Sequence, residues 1–277
     1  PETIDQYVDV RFRIDGECIP YERFPYAYRA AIVSRIKIMA NLDITEKRLP
    51  QDGKVRFTVP TFGDIELRVA TVPTHGGVED VVMRILTRGA IMTLEELNMS
   101  DEDLSQFLKI LRKPYGLILI VGPTGSGKTT TAHAALRILN RPNVKIWTAE
   151  DPVEITQKGL RQVQVHHKIG FDFSNAMRAF LRSDPDIILV GEMRDYETAK
   201  MGIEASTTGH LVMSTLHTNN APETIVRLLD MGIDPIAFAD SLLCILAQRL
   251  VRRLCPYCRE AYHPSREEFD DIVRSYD

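Results

Sequence analysis

No stretch of this chain approaches the roughly 18 uninterrupted apolar residues of a membrane-spanning helix. The longest candidate, Ile236 to Ala247, is broken by Asp240 and Ser241. Any membrane association is therefore expected to run through partners. Cysteine is scarce: there are four, with Cys244, Cys255 and Cys258 close together, which excludes an extracellular disulfide framework and fits a reducing, cytoplasmic compartment. Basic excess is lacking too, because 34 Lys and Arg against 38 Asp and Glu leave a net charge of −4. That balance offers no electrostatic footprint for wrapping duplex nucleic acid. There is no internal repeat and no low-complexity tract, and shares of 44% hydrophobic, 26% charged and 7% aromatic exclude disorder and collagen-like structure. The sequence opens at Pro1 without an initiator methionine or a basic-then-apolar leader, so it reads as a piece of a longer protein.

At roughly 150 residues per domain, 277 residues predict two domains. The first, residues 1–90, reads as small α+β. Val8, Val10, Phe12 and Ile14 alternate with polar residues as in a half-buried strand, Asp15-Gly16 is hairpin chemistry, and Cys18 to Phe24 would pair back. Tyr28 to Ala40 places Ile32, Ile36 and Met39 at helical spacing, and strand-like runs follow at Val55–Val59, Ile65–Val69 and Val78–Leu86. The pattern weakens over 91–100, read as a linker, until Ser100 opens a helix. From there to 277, the apolar runs Leu117–Val121, Val144–Thr148, Ile187–Val190 and Leu211–Thr215 alternate with helices starting near Lys128, Phe173, Tyr196 and Pro222. Continuous apolar strands separated by helices predict an α/β domain with a parallel sheet covered on both faces.

The strongest chemical signal is Gly122-Pro123-Thr124-Gly125-Ser126-Gly127-Lys128-Thr129-Thr130, a complete phosphate-loop pattern between an apolar strand and a helix. Its glycines let backbone N–H groups turn inward around a phosphate, Lys128 would bridge the β- and γ-phosphates, and Thr129 would offer its hydroxyl to Mg²⁺. Hydrolysis also needs a carboxylate to orient water. Asp186 to Glu192 is an apolar strand delivering Glu192 at its carboxyl end, with Gly191 where an aspartate is usual. Glu150, Asp151 and Glu154 close another run and are candidates for the metal's water shell, although Asp151-Pro152 is also ordinary turn chemistry. His217 ends the Leu211 run, positioned to address a γ-phosphate or the attacking water.

Together, Gly122–Thr129, Glu150–Glu154, Gly191-Glu192-Met193-Arg194-Asp195 and Thr215–Thr218 resemble the Walker A, Asp box, Walker B and His box of the secretion ATPase superfamily. Arg11–Gly16, Leu49–Gly53 and Leu246–Cys255 are similar to its branch of type II secretion and pilus-extension ATPases. The resemblance implies a RecA-like P-loop core preceded by a PAS-like domain, ATP and Mg²⁺, and a hexameric motor. Its implied partners are an inner-membrane platform protein and a cytoplasmic adaptor, without nucleic acid. It further implies phosphate-reaching arginines at Arg68, Arg178, Arg182 and Arg194. Lys54 departs from the arginine usual after Pro-Gln-Asp-Gly, keeping the charge but losing the planar fork.

Cys255-Pro-Tyr-Cys258 has the letters of a redox site but follows a stretch expected to be an arginine-rich helix (Arg249, Arg252, Arg253), which argues against redox chemistry. The resemblance implies structural Zn²⁺ held by two such pairs. This chain carries one pair, and even with His263 that is fewer than four ligands. Cys18 and Cys244 are expected to be small buried residues. Three other functions share a P-loop: a ring helicase or nucleic-acid translocase, a small-molecule phosphotransferase, and a non-hydrolysing nucleotide-gated scaffold. The helicase would want basic residues interleaved with aromatics, and the arginine cluster at 249–253 has no aromatics among it. The phosphotransferase would want a lid, and the scaffold would make Glu192 dispensable.

Overall fold

The computed structural model describes residues 7–14, 16–59, 61, 63–86 and 91–274. It divides into two units, Pro1–Ile91 with Glu154–Gln157 and Met92–Val153 with Lys158–Asp277. In the first unit, β1 (Tyr7–Ile14) and β2 (Glu17–Pro25) form an antiparallel ribbon whose Ile14 and Glu17 pair across a two-residue turn. Gly16 there has φ of 90°, while Asp15 lies outside the described residues. The ribbon's alternation does not produce burial: Phe12 and Ile14 are exposed, as are Ile19, Tyr21 and Phe24, and Cys18 is exposed rather than buried. Two strands alone offer no second layer to cover a face.

Helix α1 (Arg29–Met39) leads to the antiparallel meander β3 (Gln51–Val59), β4 (Gly63–Thr74) and β5 (Val78–Leu86). The small core gathers Ala40, Val55 and Val69, with Ile36, Leu42, Leu67 and Val81 packed against it. Met39, expected to face inward, is exposed, and the deepest α1 side chain is Lys37, in an ion pair with Glu79 of β5.

The second unit begins with α2 (Asp101–Leu111), capped by Ser100, whose hydroxyl accepts the Asp103 N–H. Then follow β6 (Gly116–Val121), α3 (Lys128–Leu139), β7 (Ile146–Glu150), β8 (Arg161–Gln164) and α4 (Phe173–Leu181). The remainder is β9 (Ile187–Val190), α5 (Tyr196–Thr207), β10 (Leu211–Leu216), α6 (Ala221–Asp230), α7 (Pro235–Ser241), β11 (Leu242–Ala247) and α8 (Arg266–Arg274). Six parallel strands run in the order β11-β6-β10-β9-β7-β8. Because side chains alternate along a strand, Leu117, Leu119 and Val121 enter the layer with α4, α5 and α7, while Ile118 and Ile120 enter the layer with α2 and α3. The α/β class expected from the apolar runs is thereby realised.

Two local expectations are corrected. The run placed at 144–148 is shifted to Ile146–Glu150, so Glu150 is part of the strand rather than a loop beyond it. The arginine-rich stretch is not a helix: Leu242–Ala247 is an edge strand and residues 248–255 carry no regular structure. Pairing with β6 supplies ladder partners on its open side, which outweighs the helical tendency of a Leu-rich run. No helix among the described residues is long and apolar enough to cross a membrane.

Candidate functional site

Parallel strands bring their carboxyl ends to one edge of a sheet. Gly122 follows β6, His217 follows β10, Glu192 lies just beyond β9, and Glu150 closes β7. Between β6 and α3 the chain turns through Gly122, Gly125 and Gly127, with φ of 150°, 79° and 86°. A Cβ on Gly122 would collide with the Gln248 carbonyl oxygen and come within 2.6 Å of Ser126 Oγ, so that bend is open to glycine alone. Ser126 Oγ is buried with no hydrogen-bond partner. Pro123, Thr124 and Gly125 form the exposed tip, and Thr129 and Thr130 are half-buried in the first turn of α3.

The buried Lys128 ammonium donates to the carbonyls of Gly122 at 2.7 Å and Pro123 at 3.0 Å, and lies 3.4 Å from His217 Nδ1. An ammonium has only protons to give, so a hydrogen bond across this contact is one in which Nδ1 accepts. Burial pushes the Lys128 pKa below its ordinary value, with the Glu192 charge acting against that shift. Across the imidazole, His217 Nε2 faces Glu192 Oε2 at 3.6 Å, and the other Glu192 oxygen is ion-paired with Arg194. Lys128, His217, Glu192 and Arg194 thus form one connected cluster. A cavity of about 580 Å³ opens beside it, with Glu223, Arg227 and Asp230 of α6 in its wall. No local pattern singles out these three; they reach the site because α6 packs beside the end of β10.

Gly191, where an aspartate is usual, has a steric explanation. A Cβ there would sit 3.1 Å from the Ala149 carbonyl oxygen and 3.2 Å from the buried Phe173 ring. Neither can retreat, since Ala149 O accepts the Gly191 N–H at 2.7 Å inside the sheet. Gly191→Ala is expected to destabilise the second unit by about 1–3 kcal/mol through overpacking. Urea unfolding followed by Trp147 fluorescence would measure this, and a loss under about 0.5 kcal/mol, the range of an ordinary surface substitution, would refute it.

Glu150 is buried and fully engaged: Thr148 Oγ1 donates to Oε1 at 2.6 Å, Gln162 Nε2 donates to the same oxygen at 3.0 Å, and His133 Nε2 meets Oε2 at 3.1 Å. Burial raises its pKa, but the hydrogen bond and charge of His133, with the Thr148 and Gln162 bonds, outweigh it and hold the carboxyl below its ordinary range. Asp151 is exposed and pairs with His167 Nε2 at 3.0 Å. Glu154, also exposed, groups with the first unit.

The arginines named by resemblance separate. Only Arg194 joins the cluster. Arg178 is ion-paired with Glu197, and exposed Arg182 caps the end of α4, the helix that leads back to the start of β9 and so to the opposite edge of the sheet. In the first unit Arg68 lies 3.5 Å from Asp52, and Lys54 lies 3.3 Å from Glu66. Cys255 and Cys258 are exposed, the Cys255 thiol drawn below its ordinary pKa by the Tyr257 backbone N–H and by Cys258. Among the described residues no group of three or more His, Cys, Asp or Glu could hold a metal, and Cys255 and Cys258 by themselves supply two of the four ligands that structural zinc takes. Mg²⁺ beside a nucleotide asks less of the protein, and the half-buried Thr129 hydroxyl in the first turn of α3 fits it.

This chain and its architecture have counterparts of known kind. The chain is 52% identical over 259 residues to the type IV pilus assembly ATPase PilB of Myxococcus xanthus, an alignment covering 94% of this chain and 46% of that protein. It is 49% identical over 269 residues to the type II secretion system protein E of Xanthomonas campestris pv. campestris, covering 97% and 47%. The chain thus spans about half the length of the curated relatives it matches. Among solved structures, the ADP-bound pilus retraction motor PilT superposes with a TM-score of 0.70 at 32% identity, covering 90% of this chain and 73% of that one. The profile described as "Type II/IV secretion system protein" matches residues 2–275, and with these relatives it shows that the chain belongs to that family.

Proposed function

We propose that this chain binds MgATP on the Gly122–Thr129 loop and hydrolyses it as the motor portion of a type II secretion or type IV pilus-assembly machine. The observation that carries this reading is the bridge made by His217 between Lys128 and Glu192, at 3.4 Å and 3.6 Å. A phosphate-binding cation, a sensor and a base are thereby linked at the carboxyl edge of one sheet.

In the proposed mechanism, the loop N–H groups and the α3 N-terminus hold the phosphates, and Lys128 turns from the Gly122 and Pro123 carbonyls toward them. Mg²⁺, held by the Thr129 hydroxyl, would supply neutralisation of phosphate charge. Asp151 would face its water shell, and Glu154 is assigned to that role by the sequence pattern alone. Glu150, its oxygens already taken by protein donors, would act on that shell through its charge. Glu192, released from Arg194, orients or deprotonates the attacking water, and freed Arg194 meets charge developing on the phosphoryl group. His217 registers whether Lys128 is engaged. Arg182, at the end of α4, would reach a nucleotide only on a neighbouring copy, while Arg178, held by Glu197 in the first turn of α5, and Arg68 are assigned to phosphate by resemblance alone. A hexameric ring driving an inner-membrane platform protein, with a cytoplasmic adaptor, completes the proposal.

A site completed by neighbouring copies gives a specific ATPase activity that climbs with protein concentration. Steady-state turnover per subunit, measured across dilutions that span assembly, is the test. A flat rate would overturn the assembled-motor reading.

A further inference from the structure

Gln248 follows β11, far in sequence from the phosphate loop, yet it touches the loop at both ends. Its backbone N–H extends the β11–β6 ladder by donating to Val121 O at 2.9 Å. Its own carbonyl oxygen occupies the space that a side chain on Gly122 would need. Its side-chain Nε2 donates to the Ser126 carbonyl at 2.6 Å and lies 3.2 Å from where a Gly127 Cβ would stand. At the loop tip, by contrast, a Cβ on Gly125 would meet nothing within 4 Å.

From these contacts we infer that Gln248 is a positioning residue for phosphate binding, acting by turning the Ser126 carbonyl away from the anion. A phosphate loop works only if its N–H groups face the ligand, and each peptide that presents an N–H inward must present its carbonyl elsewhere. Lys128 occupies the carbonyls of Gly122 and Pro123, and Gln248 occupies that of Ser126, just before the α3 N-terminus. Once Lys128 turns to a nucleotide, Gln248 is the side chain that still pins a loop carbonyl. A second observation points the same way. Gln248 Oε1 and Ser126 Oγ are both buried without partners, one lacking a donor and the other free to give one. The amide is thus held by its Nε2 bond despite leaving its oxygen unsatisfied, which marks the Ser126 carbonyl as the contact that orients it.

The inference rests on the ATP-binding reading of this loop and deepens it. Its test uses the full chain with Gln248→Met, which keeps the volume without a donor, and Gln248→Glu, which adds a negative charge against the same carbonyl. MgADP titration calorimetry and steady-state ATPase assays are read beside thermal unfolding of the nucleotide-free protein. The expected result is a Kd for MgADP and a KM for ATP raised at least tenfold in Gln248→Met and further in Gln248→Glu, with kcat within about threefold, the signature of lost uniform binding. A wild-type Kd and KM in Gln248→Met overturns the inference, as does a fall in kcat with unchanged KM. Absence of MgADP binding by the wild-type chain would instead remove the reading beneath it.

Discussion

Glu192→Gln is expected to lower kcat for ATP hydrolysis by about 10²–10⁴-fold while MgADP affinity stays near wild type. The carboxylate is only 13% exposed, held between Arg194 and the Nε2 edge of His217. Glutamine keeps that volume, and its single amide oxygen can still accept from Arg194, so fold and nucleotide loop should survive although the second oxygen facing His217 is replaced by a donor. What disappears is the negative charge that orients water and takes its proton. The arrangement also implies a resting form in which Arg194 neutralises the base, and glutamine would weaken that ion pair to a neutral–ionic hydrogen bond. A variant retaining a tenth or more of wild-type turnover would exclude Glu192 as the base. Loss of MgADP affinity in parallel with turnover would point to damage at the loop instead.

The second large effect is on stability. Glu79→Ala is expected to destabilise the first unit by about 3–5 kcal/mol, because it strands the Lys37 ammonium, 1% exposed, without its counter-charge. Among the described residues the Glu46 carbonyl, at 2.7 Å, would remain as its partner. So small a core, with Ala40, Val55 and Val69 its buried hydrophobics among the described residues, has little surplus to absorb that loss. Replacing both partners at once, Lys37→Met with Glu79→Leu, is expected to be close to neutral, since apolar groups of similar volume need no desolvation of charge. Amide exchange across β3–β5 in the full chain reads the first unit directly. Protection in Glu79→Ala equal to wild type, or a double variant as weak as the single one, would refute the assignment of stability to this pair.

These predictions draw on different kinds of information. Lys128 and Glu192 stand out in the sequence because their chemistry is announced locally: glycines at fixed spacing between an apolar strand and a helix, and a carboxylate at the end of Ile187–Val190. The alternating runs also determine a parallel α/β core, since a strand buried on both faces must be apolar throughout. Lys37 is the opposite case. Helical spacing selects Ile32, Ile36 and Met39 as the inward face of α1, and no local rule says that a lysine will be buried there when its partner lies across the chain on β5.

The same division runs through the site itself. By its own residues the sequence determined the four central strands of the second unit and the helices between them, where the phosphate loop lies, and that carboxylates and a histidine close the neighbouring strands. Only the tertiary structure decided their partnerships. Folding brings Gln248 onto Ser126, His133 onto Glu150, His217 between Lys128 and Glu192, and the wall of α6 beside them. It also made Leu242–Ala247 an edge strand, paired Arg178 with Glu197, and set any side chain at Gly191 tightly against the Ala149 carbonyl and the Phe173 ring. The physical reason is range. Backbone conformation and hydrophobic period are set by neighbours a few residues away, whereas burial, ion pairing and steric exclusion depend on atoms that meet only when distant segments pack.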